Sequence, residues 1–212
     1  MRLRKIPGIE ERLKAEYPHL VVAEPQAYAG IWREYFGTEA PLFLEIGMGR
    51  GRFIDGLRKK APQTNFIAVE MRNEVIFDAA KKIGDDCKNV AFISGHAASL
   101  RDWFAEKEVD RIYLNFSDPW PKRAHRKRRL THENFLKLYR EILKEEGELF
   151  FRTDVAAFFE FTLTEMTNHG FALTEVSLDY HHSAYFDGIS TEYEEKKSKE
   201  GSIYYGRFLL RK

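Results

Sequence analysis

Leu42-Phe-Leu-Glu-Ile-Gly-Met-Gly-Arg-Gly-Arg-Phe53 is the stretch on which the fold turns. Leu42–Ile46 is short and apolar enough to be a buried strand, and Gly47, Gly49 and Gly51 follow it at once. Glycines at that point let the backbone bend sharply into a helix and let a ligand approach it closely. The helix is expected over Arg52–Lys60, stopped by Ala61-Pro62. Outward from this unit the alternation repeats. Strands are expected at Phe66–Glu70, Val90–Ser94, Arg111–Asn115 and Glu148–Arg152. Helices are expected at Asn73–Ile83, Leu100–Phe104, Thr131–Leu143 with a stop at Gly147, and Val155–Asn168 with a stop at Gly170. Two β-rich runs follow, Phe171–Leu178 and Ser202–Leu210, with no helix expected between them. The pattern is α/β and Rossmann-like: a mostly parallel sheet with helices on both faces and a terminal antiparallel strand pair.

The chemistry of the glycine turn narrows its ligand. Its spacing is G-x-G-x-G, not the dinucleotide G-x-G-x-x-G, and Glu45 stands two places before the first glycine. A carboxylate there repels a pyrophosphate and attracts the α-ammonium and sulfonium of S-adenosylmethionine. Glu70, 23 residues after Gly47, stands where an acid accepts hydrogen bonds from ribose hydroxyls. The plainer reading is a tight turn at Gly47–Gly51 and a surface charge at Glu70. Gly95-His-Ala97 falls where such folds meet an adenine, so His96 either hydrogen-bonds the base or is merely exposed.

The fourth strand runs directly into Asn115-Phe-Ser-Asp-Pro-Trp-Pro-Lys122. Two prolines around a tryptophan stiffen a loop at the carboxyl edge of the sheet, where open α/β folds bind ligands. Asp118 is thereby a candidate catalytic and cofactor residue, and Trp120 a planar wall, although Asp-Pro also opens ordinary turns. Lys122-Arg-Ala-His-Arg-Lys-Arg-Arg129 follows without a gap and holds six cations. The whole chain carries only +1, so without those six it carries −5. A basic element beside a catalytic loop fits a phosphate backbone, the alternative being a solvated face.

These motifs together resemble the bacterial tRNA (guanine-N7)-methyltransferase family. The resemblance runs nearly end to end, through Glu45-Ile-Gly-Met-Gly-Arg-Gly, Asn115-Phe-Ser-Asp-Pro-Trp-Pro-Lys, His125-Arg-Lys-Arg-Arg, Phe151-Arg-Thr-Asp154 and Thr191-Glu-Tyr-Glu194. It implies the S-adenosylmethionine-dependent methyltransferase fold and methyl transfer to guanosine 46 of the tRNA variable loop, forming 7-methylguanosine. It implies that Glu45, Gly47, Gly49, Glu70, His96 and Asp118 line the cofactor and that Asp118 is catalytic. Lys122, Asp154, Thr191, Glu192, Tyr193 and Glu194 would hold substrate; Ala124, His125, Arg126, Lys127, Arg128 and Arg129 would touch RNA. Two positions depart from the pattern: His96 stands where the family has Asp or Asn, and Ala124 replaces a basic residue. A guanine attacked at N7 is expected to leave its stack, against Trp120 or Tyr193.

At 212 residues and 43% hydrophobic, the chain has room for one domain. Residues 1–40 read as a basic, proline-punctuated arm, with Arg2, Arg4 and Lys5 either touching a polyanion or belonging to a solvated terminus; residues 179–201 read as a substrate-side insertion, longer than ordinary connections. The single cysteine, Cys87, suits a reducing compartment, and the cytoplasm is expected. No signal-like or membrane-length apolar run and no zinc-type Cys/His spacing occurs, so neither membrane nor metal is expected. Monomer and homodimer stay open. The rival readings are a nicotinamide oxidoreductase, which Glu45 opposes; a non-catalytic RNA-binding protein, which leaves the glycines and Asp118 without a role; and a methyltransferase for a small molecule or protein, which leaves the basic run without one.

Overall fold

The computed structural model describes residues 6–211; Arg2, Arg4 and Lys5 lie outside them. Along the chain run α1 (Ile9–Glu16), β1 (Val21–Val22), α2 (Trp32–Phe36), β2 (Leu42–Ile46), α3 (Arg52–Lys60), β3 (Asn65–Glu70), α4 (Asn73–Ile83), β4 (Val90–Ser94) and α5 (Leu100–Trp103). They are followed by β5 (Val109–Asn115), α6 (Glu133–Ile142), β6 (Leu143–Thr153), α7 (Ala156–Asn168), β7 (Phe171–Ser177), α8 (Glu192–Lys197) and β8 (Tyr204–Leu210). The eight strands form one sheet in the order β1-β4-β3-β2-β5-β6-β8-β7. β1 to β6 pair in parallel, and β8 runs antiparallel between β6 and β7, as the terminal pair was expected to do.

Strand sequence explains why both faces are covered. In β3, Ile67 and Val69 enter one core with Leu42, Leu44 and Ile46 of β2, whereas Phe66 and Ala68 enter the other with Phe53, Ile54 and Ile76 of α3 and α4. A period of two with apolar residues on both sides is the mark of a parallel sheet buried between helices. The strand order reverses direction at β2, with β3 and β4 laid to one side and β5 and β6 to the other. A crevice opens at such a switch point beyond the carboxyl ends of the strands.

Three expectations are corrected. Residues 9–36 are no arm: Ile9 and Leu13 of α1 are buried in the α4 face, β1 pairs with β4, and Trp32 is fully buried with its indole N–H donating to the Trp103 carbonyl at 2.7 Å. Residues 6–40 hold six acids and three bases, so the basic character belongs to residues 1–5 alone. The helix expected to run to Leu143 ends at Ile142, because Leu143 already pairs with Val109; Gly147 sits inside β6, beside a register shift and a left-handed Glu146 (φ 62). The good helix formers Lys144-Glu-Glu146 point the other way locally, and strand pairing overrides them. Finally, the 179–201 segment contains α8 and a short 3₁₀ turn at Tyr180–His182.

Candidate active site

At the switch point lies a cavity of about 570 Å³, lined among others by Gly47, Glu70, His96, Asn115, Ser117, Asp118, Trp120, Lys127 and Arg128. Gly47, Gly49 and Gly51 all adopt left-handed backbone, with φ of 82, 54 and 73. A side chain at Gly51 would also strike Ala79 of α4 at 2.8 Å, whereas at Gly47 and Gly49 there is open space. Gly51 therefore seats α3 on α4; the first two leave room for a ligand.

Glu45 is buried and 1% exposed. Its Oε1 accepts from the Asn115 side-chain amide at 3.1 Å, while among the described residues its Oε2 and the Asn115 Oδ1 have no partner. Burial pushes the Glu45 carboxyl up to about 8, against the pull of Asn115 and Arg152. A ligand that brought N–H donors and positive charge would satisfy both unpaired oxygens and favour the ionised carboxylate. Glu70 caps the next strand: Oε1 accepts from the Met71 and Arg72 amides at 2.9 and 3.2 Å, and Oε2 from the Gly49 amide at 3.3 Å. His96 accepts at Nδ1 from the Ala98 amide at 3.0 Å, capping the 3₁₀ turn Ala97–Ser99. An Asp or Asn would cap the same turn; the imidazole preserves that acceptor and turns an Nε2–H donor outward.

In the Asn115–Lys122 loop, Phe116 and Trp120 are left-handed (φ 54 and 40), a conformation costing non-glycine residues about 1–3 kcal/mol each. The Phe116 amide donates to the Arg152 carbonyl at 2.9 Å. Arg129 turns back to donate to the Pro119 and Trp120 carbonyls at 2.8 and 3.2 Å, with its guanidinium 4.3 Å from the Phe161 ring centre. Asp118 is exposed and faces the cavity, and no hydrogen bond or ion pair among the described residues engages its carboxylate. The basic run forms a 3₁₀ turn, Arg123–Arg128. Arg128 lies over the Trp120 ring at 4.9 Å and His125 meets its edge at 5.8 Å. Lys122, Arg123, Ala124 and Arg126 are exposed.

On the other side of the loop, Tyr193 donates its hydroxyl to Asp154 at 3.2 Å and sets its ring 5.3 Å from Phe116. Thr191 and Glu194 form a capping box at the start of α8: Thr191 Oγ1 accepts from the Glu194 amide at 2.9 Å, and Glu194 Oε2 from the Thr191 amide at 3.3 Å. Glu192 pairs with Lys82 and Glu195 with Arg52, tying α8 to α3 and α4. Ile189 packs where a Cβ on Gly56 would stand 2.7 Å away, so a glycine within α3 is what admits it. Among the described residues no group of three or more His, Cys, Asp or Glu is placed to hold a metal ion, and no helix is long and apolar enough to cross a membrane.

The profile of a family described as "Putative methyltransferase" matches residues 39–206. The tRNA (guanine-N(7)-)-methyltransferase of Geobacillus sp. (strain WCH70) is 45% identical over 206 residues, covering 97% of this chain and 93% of the relative. The chain belongs to the tRNA (guanine-N7)-methyltransferase family. Its fold is the Rossmann-like fold of S-adenosylmethionine-dependent methyltransferases. An antibiotic-related methyltransferase superposes with a TM-score of 0.62 at 22% identity, over 84% of this chain and 90% of that one. The Methanococcus jannaschii fibrillarin pre-rRNA processing protein superposes with 0.58 at 13% identity, over 99% and 82%.

Against the roles the family resemblance implies, the cavity gathers Gly47, Glu70, His96, Asp118, Lys127 and Arg128, with Glu45 behind Asn115 and Gly49 bonded to Glu70. Lys122, Asp154 and Thr191–Glu194 do not line it. Thr191 and the fully buried Glu194 are engaged in holding the insertion, and Arg129 in holding the loop; of the Thr191–Glu194 set, Tyr193 is the one that reaches Asp154 and the loop. Sequence reasoning passed over Asn115, Ser117 and Arg152. Among the described residues the buried Ser117 hydroxyl is without a partner beside the cavity, and Arg152 is a cation directly after the apolar run Leu149-Phe-Phe151 at the carboxyl end of β6, the one signal that could have marked it.

Proposed function

We propose that this family member transfers a methyl group from S-adenosylmethionine to N7 of guanine in tRNA, at guanosine 46 of the variable loop, forming 7-methylguanosine. The observation that carries the reading is that Lys127 and Arg128 of the basic turn line the same cavity as Glu70 and Asp118. A phosphate-binding element and a cofactor-type turn thus share one space. The residues fit the cofactor: the orphaned Glu45 Oε2 and Asn115 Oδ1 suit its α-ammonium, Glu70 the ribose hydroxyls, and the open faces of Gly47 and Gly49 the close approach of its chain. When bound, S-adenosylmethionine supplies an electrophilic methyl group.

Guanine N7 presents an in-plane lone pair and carries no proton, so the protein needs alignment more than a general base. The methylated base is cationic, and the carboxylates of Asp118 and Asp154 offset that charge as it develops. They also accept from guanine N1–H and its exocyclic amine, a donor pair that adenine lacks. Trp120 is already stacked under Arg128, which leaves Tyr193 the better platform for an everted base. The same reading takes the chain as one domain working in the cytoplasm, in keeping with its single cysteine.

The test is transfer of labelled methyl from S-adenosylmethionine to unmodified tRNA, with the product nucleoside mapped. Label is expected as 7-methylguanosine, and absent when position 46 is adenosine. Label on another base, or no transfer to any RNA despite cofactor binding, would move the assignment to a small-molecule or protein methyltransferase.

A further inference from the structure

Arg152, at the carboxyl end of β6, is fully buried, and every hydrogen-bond and ion-pair partner of its side chain comes from the 179–201 insertion. Nη1 donates to the Ile189 carbonyl at 2.9 Å; Nη2 donates to the Tyr180 hydroxyl at 2.6 Å and to Asp187 at 2.9 Å; the Glu194 carboxylate lies 3.5 Å away. The guanidinium also faces the Tyr180 ring at 4.4 Å. The backbone of the same residue holds the catalytic loop, since its carbonyl accepts from the left-handed Phe116. Two residues further on is Asp154, and Glu194 belongs to the capping box that opens the helix carrying Tyr193 to it.

Among the described residues the Arg152 Nε has no hydrogen-bond partner, so the bonds of Nη1 and Nη2 to the insertion are what compensate the buried charge, and they hold the insertion against β6. Resting on the methyl-transfer reading above, we propose that Arg152 is a positioning residue: it locks the 179–201 insertion onto β6 and thereby sets Tyr193 against Asp154 and Phe116 on the substrate side of the site. It touches neither cofactor nor base. Lysine keeps the charge and loses the planar fork that reaches Ile189, Tyr180 and Asp187 together.

The experiment compares the full-length protein with Arg152→Lys by amide hydrogen exchange across residues 179–201, by calorimetric affinity for S-adenosylmethionine, and by steady-state methylation of tRNA. Exchange in α8 is expected to rise at least tenfold. Cofactor affinity should stay within about threefold, while kcat/KM for tRNA falls about 10- to 100-fold, divided between kcat and the KM for tRNA. Asp187→Asn removes one arm of the lock at a half-buried position and should move all three readouts in the same direction by less, which keeps the test valid if the lysine variant does not fold. Unchanged α8 exchange, or a loss of activity matched by an equal loss of cofactor binding, would overturn the positioning role. A wild-type protein that binds cofactor and leaves tRNA unmodified would overturn the methyl-transfer reading and this role with it.

Discussion

Glu45, which we propose holds the cofactor, is buried at a cost to the fold. Its carboxyl titrates near 8 in the folded chain against an ordinary 4.5, chiefly because burial disfavours the charge. The folded state therefore holds this proton more tightly than the unfolded chain, and the stability it confers is fully present below about 4.5 and lost as pH rises through 8. Replacing Glu45 by Gln removes that loss. Thermal unfolding without cofactor should show the variant more stable than the wild type at pH 8.5, by about 2–5 kcal/mol, with the difference vanishing near pH 5. The same variant should bind S-adenosylmethionine at least about tenfold more weakly, because an ammonium ion facing the carboxamide loses its counter-charge. A stability profile parallel to that of the wild type would contradict the assigned burial. At position 96 the imidazole caps the Ala97–Ser99 turn through Nδ1, a role that an Asp or Asn side chain could also perform.

The basic turn divides by the direction of its side chains. Arg126 is exposed, whereas Arg129 is folded back onto the Pro119 and Trp120 carbonyls. Arg126→Ala should lower the slope of log affinity for tRNA against log salt by about 0.7–0.9, one phosphate contact. Arg129→Ala should leave that slope alone and destabilise the protein by about 1–3 kcal/mol, since two loop carbonyls lose their donor. Equal salt slopes for the two variants would show the division to be wrong. Sequence made the run visible as charge; it could not separate these roles, because which arginine turns inward depends on Phe158 and Phe161 of α7. The glycine turn, by contrast, was legible to the residue, since left-handed backbone and the steric limit at Ala79 demand glycine locally. Thr191 and Glu194, which the family resemblance implies hold substrate, also have the spacing of a capping box, a local signal present in the sequence itself.

Across the whole molecule, charge is concentrated where the sheet changes direction. A chain of net +1 carries six cations between Lys122 and Arg129, and two of them, Lys127 and Arg128, line the crevice; on the proposed function an RNA is drawn to this face by the position of charge and not by overall charge. The alternation of strands and helices was readable because the central strands β2 to β4 are apolar on both faces and α3, α4 and α7 stop at or just before a proline or glycine. The folding of residues 9–36 onto the sheet and the docking of the insertion through Arg152 were not, since both depend on contacts between segments far apart in sequence. On the proposed function, this one crevice joins cofactor, guanine and RNA anchor around Asp118. That arrangement is tested most directly by single-turnover methylation of tRNA at saturating S-adenosylmethionine, comparing the wild type with Asp118→Ala. A loss of about 100-fold in rate is expected with the tRNA still bound; an unchanged rate would place the chemistry somewhere other than the Asn115–Lys122 loop.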